Sequence, residues 1–137
     1  MKKYICSLML VLMALVSVGL AACSDDDEPK ASDIVGTWAY DTQVIGDYAI
    51  FFQFTKDGKF HEVHTSIIHG ETVLGDVFHG TYTVSGKKLT VTYNFQYETE
   101  TINCTYSVKG DILTLNIEGE GTATFNRVKD SIIEPYL

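Results

Sequence analysis

Three features of residues 33–137 predict an all-β fold, an up-and-down antiparallel barrel of about eight strands. First, apolar residues recur at every second position over short runs, and no helical stripe of useful length interrupts them. Second, the runs are separated by Lys56-Asp57-Gly58, Ser85-Gly86-Lys87, Lys109-Gly110-Asp111 and Glu118-Gly119-Glu120-Gly121, which supply the glycines that tight hairpins need for positive φ. Third, a meander of consecutive strands leaves two exposed edges unless the last strand pairs with the first, and closure removes both. A two-sheet sandwich is the alternative, but its Greek-key connections are longer than most of the turns here. The stretch suffices for one core, and no internal boundary divides it.

Taken in order, residues 1–22 read as an export signal: Lys2 and Lys3 precede an apolar run broken only by Ser7, Ser17 and Gly19. The run reaches the length of a membrane-spanning helix, so an uncleaved anchor is the alternative. Its end, Leu20-Ala21-Ala22-Cys23, resembles the bacterial lipobox, which implies cleavage before Cys23 and lipid attachment to its thiol. Acyl chains contribute about 0.8 kcal/mol per buried methylene, so several on one cysteine hold a small domain at a membrane.

Residues 23–32 follow as a lipidated tether, with Ser24-Asp25-Asp26-Asp27-Glu28 carrying no apolar group to bury. This run resembles the acidic tag of surface-exposed lipoproteins in some Gram-negative bacteria, which implies an outer-membrane, cell-surface address. With Lys2 and Lys3 set aside, eight Lys and Arg face eighteen Asp and Glu. That balance and the scattered lysines argue against nucleic acid as a partner. With Cys6 in the signal and Cys23 acylated, Cys104 stands alone, so stability must come from packing without a disulfide.

The strands expected in the domain are 34–42, 48–55, 59–68, 77–84, 89–96, 101–108, 112–117 and 122–128. In the first, alternation sets Ile34, Gly36, Trp38 and Tyr40 on one inward face. Gly36-Thr37-Trp38 resembles the G-x-W opening of lipocalin-like barrels. The resemblance covers nearly all of residues 34–128, including residues 54–60, Gly80-Thr81-Tyr82 and Leu113-Thr114-Leu115. It implies that the Arg127 guanidinium lies over the Trp38 ring and closes one barrel end. The likeness is to compact bacterial lipocalin-like domains; the flanking helix and disulfide pair of full-length lipocalins are missing.

The inward face carries Phe52, Phe54, Phe78, Tyr82, Leu89, Val91, Tyr93, Phe95, Ile102, Cys104, Tyr106, Leu113, Leu115 and Ile117. An eight-stranded barrel is just wide enough to be filled by its own side chains or to hold one small ligand. So many aromatic groups predict a largely filled lumen, with any pocket small and near the open end. The third strand departs from the pattern. If Phe60 points inward, Glu62, His64 and Ser66 follow it while Val63 and Ile67 face solvent. An unpaired buried carboxylate costs several kcal/mol, so either Glu62 has partners or a bulge shifts the register and returns Val63, Thr65 and Ile67 to the core.

Under the inward reading Phe60, Glu62, His64, Tyr82, Tyr93 and Tyr106 form a candidate pocket, polar groups inside an apolar cup. His61 and His64 fall on opposite faces of one strand, while His69 and His79 flank the loop 70–76 and are placed to approach each other across a hairpin; no three or four ligands converge, so no metal or other cofactor is expected. No serine sits in a nucleophile elbow, and only Glu62 is both acidic and inward, so no enzyme is expected. Two functions fit the sequence: a membrane-tethered module binding a small apolar or amphipathic ligand in the barrel mouth, or a filled barrel that engages an unknown protein partner. The second would use the outer wall or the loop 67–78, which carries Val73 and Leu74. The tail, residues 130–137, is expected to dock on the wall through Ile132, Ile133 and Tyr136.

Overall fold

Alternation and glycine turns produce the expected architecture. The computed structural model describes residues 30–40 and 48–137. The leader, Cys23, the tether through residue 29 and the last two positions expected of the first strand lie outside the described residues. Eight strands follow in order: β1 (Gly36–Tyr40), β2 (Tyr48–Phe54), β3 (Lys59–Ile68), β4 (Glu71–Ser85), β5 (Lys88–Asn94), β6 (Thr99–Lys109), β7 (Ile112–Ile117) and β8 (Gly121–Val128). Each pairs antiparallel with the next, and β8 returns to β1, with Trp38 opposite Arg127 on one side and Phe52 on the other. The barrel is closed, which removes the edges a meander would leave open.

A 3-10 turn, Ala31–Ile34, precedes β1 and begins within the residues expected to be tether. The lumen is filled. Phe60 lies at its middle, 1% exposed, with ring centroids 5.2 Å from both Phe52 and Phe54 and 5.4 Å from Tyr93. Phe52 also stacks on Phe125 at 4.8 Å. Such tilted and edge-on pairs add to the stabilisation from area burial alone. Gly80 exists for packing: a Cβ there would collide with the Thr92 carbonyl oxygen of the paired strand β5.

The third strand resolves both alternatives at once. Val63 pairs with Val77 and Thr65 with Leu74, so one residue, His64, faces two, Gly75 and Asp76. The bulge therefore sits on β4, and β3 keeps its alternation with Glu62 and His64 pointing inward. Val63 does not face solvent as expected; it is fully buried on the outer wall. There the segment 130–137 covers the barrel. Ile133 is fully buried, and Ile132 and Tyr136 share a groove with Ala49, Phe51, Thr65, Ile67 and Thr72. Thr37 ties the segment down by donating to Asp130 at 2.7 Å while accepting from Gln53 at 3.2 Å.

Residues 67–78, expected to be a loop, are instead a hairpin. Ile68 pairs with Glu71 across a two-residue turn in which His69 (φ 54°) and Gly70 (φ 82°) both take left-handed conformations. Pairing of β3 with β2 stops at Ser66, and that of β4 with β5 stops at Gly80, so the tip projects as a two-stranded arm from one end of the barrel. On it Ile67, Ile68, Val73 and Leu74 are exposed.

Candidate functional site at the open end of the barrel

The two barrel ends are built differently. At one end the Arg127 guanidinium carbon lies 4.1 Å from the centre of the Trp38 ring. Its Nη1 donates to the Val35 carbonyl at 2.9 Å and its Nη2 to the Asp33 carbonyl at 3.1 Å, while Nε stands 3.4 Å from Asp111. Trp38 Nε1 donates to the Ile34 carbonyl at 2.9 Å. Gly36 has φ 133°, and a Cβ built on it would sit 2.5 Å from Arg127 Nη1. Only glycine there admits the guanidinium to the ring face. Tyr82 belongs to this end, donating to the Thr55 carbonyl at 2.5 Å. Tyr106 is buried, and its phenol is pushed up by burial, then by Asp33 and Tyr82. These two tyrosines, expected in the pocket, are thus separated from Glu62 and His64.

At the other end β2, β3 and β5 carry a continuous hydrogen-bonded chain. Tyr93 donates to Glu62 Oε2 at 2.6 Å, and His64 Nε2 stands 2.5 Å from Glu62 Oε1. The Tyr48 hydroxyl is 2.5 Å from His64 Nδ1. One assignment satisfies every atom: Nε2–H donates to the carboxylate, and Tyr48 donates to the bare Nδ1. Glu62 is 0% exposed and His64 4%, so the donated hydrogen bonds take the place of water around a buried carboxylate.

Aromatic rings stand around this chain. Phe78 lies edge-on to His64 at 5.6 Å and 6.2 Å from Phe95, which is stacked on Tyr93 at 6.0 Å. Tyr48, Phe78 and Phe95 are only partly buried. The result is a buried polar chain flanked by partly exposed aromatic rings. Of the six expected pocket residues, Phe60, Glu62, His64 and Tyr93 come together. Tyr48, Phe78 and Phe95 stand around them; extending the alternation of β2 back from Phe52 would have placed Tyr48 there.

Two other expectations are settled by geometry. His79 does not approach His69, which occupies the turn; it faces His61 across β3 and β4 on the outer wall. Cys104 lies in the core, its thiol donating to the Leu89 carbonyl at 3.6 Å, and burial pushes its pKa up to about 12. The thiolate is the reactive form, so alkylation of Cys104 in the folded chain at pH 8 should run roughly a thousandfold slower than in urea. Peptide mass spectrometry after timed alkylation checks this; equal rates in both conditions would show an accessible thiol.

A closed eight-stranded meander with an arginine-over-tryptophan seal at one end defines a lipocalin-like barrel fold. One solved structure agrees in fold. A crystal structure of a lipocalin-like protein from Bacteroides uniformis superposes with a TM-score of 0.50 at 16% identity, covering 70% of this chain and 99% of that one. An uncharacterized protein from Bacteroides eggerthii gives a TM-score of 0.47 at 17% identity, with 70% and 100% covered. No family model matches the chain, and no curated protein matches it in sequence.

Proposed function

We propose that this chain is a lipid-anchored module of the outer-membrane surface that holds a small apolar or amphipathic ligand in the cup at the open end of its barrel. The observation that carries this reading is the chain Tyr48, His64, Glu62, Tyr93 lying beneath the partly exposed rings of Tyr48, Phe78 and Phe95. Apolar walls with a few convergent polar groups suit a ligand with a greasy body and one hydrogen-bonding head. The filled lumen leaves depth for a short ligand only.

In this reading the four hydrogen-bonded side chains form a fixed polar floor. Burial, then Asp76 and Glu62, push the Tyr48 phenol up, away from the phenolate a nucleophile would need. Residues 30–34 lie beside the Arg127 seal, at the end of the barrel opposite the Tyr48, His64, Glu62, Tyr93 chain. Attachment itself rests on Leu20-Ala21-Ala22-Cys23 and the acidic run behind it. Cys23→Ala should abolish incorporation of a labelled fatty acid; equal labelling of variant and wild type would remove the anchor from this account.

The ligand reading is tested by titrating an environment-sensitive lipophilic probe against wild type, Phe95→Ala and His64→Phe. Saturable binding in wild type, weakened about tenfold or more by either change, is expected. Wild type without saturable binding would leave the second reading, a protein-contact module, which the exposed Ile67, Ile68, Val73 and Leu74 of the arm favour. Under that reading Ile68→Ser with Leu74→Ser would abolish partner capture.

A further inference from the structure

We infer that the outer wall of the barrel carries a two-histidine chelate for a divalent first-row cation, Cu2+ or Ni2+ before Zn2+, formed by His61 on β3 and His79 on β4. The two residues are direct cross-strand partners, and their side chains stand on the same face of the ladder. Their Nδ1 atoms are 2.7 Å apart and the rings meet edge-on, with centroids 5.0 Å apart. Both residues reach solvent, His79 the more fully.

The separation selects the metal. Two nitrogens bound at about 2.0 Å with a right angle between them lie about 2.8 Å apart, the geometry of tetragonal Cu2+ and Ni2+. Two corners of a tetrahedral Zn2+ site, with bonds of 2.0–2.1 Å, need about 3.3 Å. The two nitrogens are spaced closer to the right-angled bite than to the tetrahedral one, both rings turning from their mutual hydrogen bond to face a common ion, and the rank order of affinities for nitrogen donors favours Cu2+ as well. Among the described residues no cluster of three or more His, Cys, Asp and Glu exists, so water fills the remaining positions.

The protonation state is also suitable. In the free pair one Nδ1–H donates to the other Nδ1. Coordination through both Nδ1 atoms needs that proton moved to Nε2 of its own ring, with no net release. His61 is the more buried of the two rings, and Lys59 and Asp57 are the other charged groups that act on it. Lys59 also repels a dication, but its ammonium stands 3.6 Å from Asp57, which offsets that charge.

The test is a Cu2+ titration of the untagged full chain in detergent, followed by electron paramagnetic resonance and calorimetry, on wild type, His61→Gln, His79→Gln and His69→Gln. One equivalent with hyperfine structure from two imidazole nitrogens is expected, with affinity lowered at least tenfold by His61→Gln and by His79→Gln, and unchanged by His69→Gln. Zn2+ should bind at least tenfold more weakly than Cu2+. Fewer than two imidazole nitrogens in the wild-type spectrum would overturn the inference. So would an affinity that His61→Gln and His79→Gln leave unchanged, which would mean that the ion sits at the tether carboxylates or the amino terminus.

Discussion

Phe60→Ala is expected to lower unfolding stability by about 3–5 kcal/mol, the range for emptying an aromatic site in a packed core. Phe60 is 1% exposed and touches Phe52 and Phe54 on the neighbouring strand β2 and Tyr93 on β5, two strands further along the wall. None of these can follow it inward, because each is anchored in its own ladder. Small domains have only about 5–15 kcal/mol of net stability, so the variant should sit close to its unfolding threshold. A urea titration followed by Trp38 fluorescence measures the loss. The void would be apolar and dry, so benzene or xenon should raise the variant's midpoint while leaving wild type unmoved. A midpoint within 1 kcal/mol of wild type would mean that the lumen is not packed around Phe60.

Arg127→Ala is the second large effect, about 2–4 kcal/mol. The guanidinium satisfies the Val35 and Asp33 carbonyls, covers the Trp38 ring and meets Asp111, so one truncation removes two charge-assisted hydrogen bonds, a cation–π contact and stem packing together. Partial exposure of Arg127 and solvent screening keep the figure below the sum of its parts. Arg127→Lys separates charge from shape: an ammonium cannot reach both carbonyls and lie flat on the ring, so it should restore little of the loss. Trp38, fully buried in wild type, should shift its emission to the red in both variants. A lysine variant as stable as wild type would show that charge alone seals this end.

Much of this was legible in the sequence because alternation is a property of one strand at a time. The inward set from Phe52 to Ile117 and the placing of Trp38 against Arg127 needed only the period of two and the G-x-W resemblance. What was hidden lay between strands. A sequence displays which face a residue takes, but not its partner across the ladder, and the bulge at Gly75 and Asp76 decides the partners along the arm. The same gap concealed the meeting of His61 with His79: with the segment 70–76 read as a loop, β4 had no register there. His69 in a left-handed turn before Gly70 looked like loop composition, because Asn is the more familiar first residue of such a turn. Val63 looked solvent-facing since nothing local announces that residues 130–137 fold back over the outer wall. The polar floor of the cup was half visible: Glu62 and His64 were inward by alternation, and the same period carried back from Phe52 reaches Tyr48, but its hydrogen bond to His64 depends on the register between β2 and β3.

The account turns on where a ligand binds in a barrel that is sealed at one end and filled at its middle. Mapping the lipophilic probe by aromatic carbon and proton chemical shifts on labelled wild-type protein tests this directly. The shifts should move at Tyr48, His64, Phe78 and Phe95 and stay fixed at Trp38, Phe54 and Phe125. Movement concentrated at Trp38 and Phe125, or confined to the arm around Ile68 and Val73 with the cup unchanged, would contradict it.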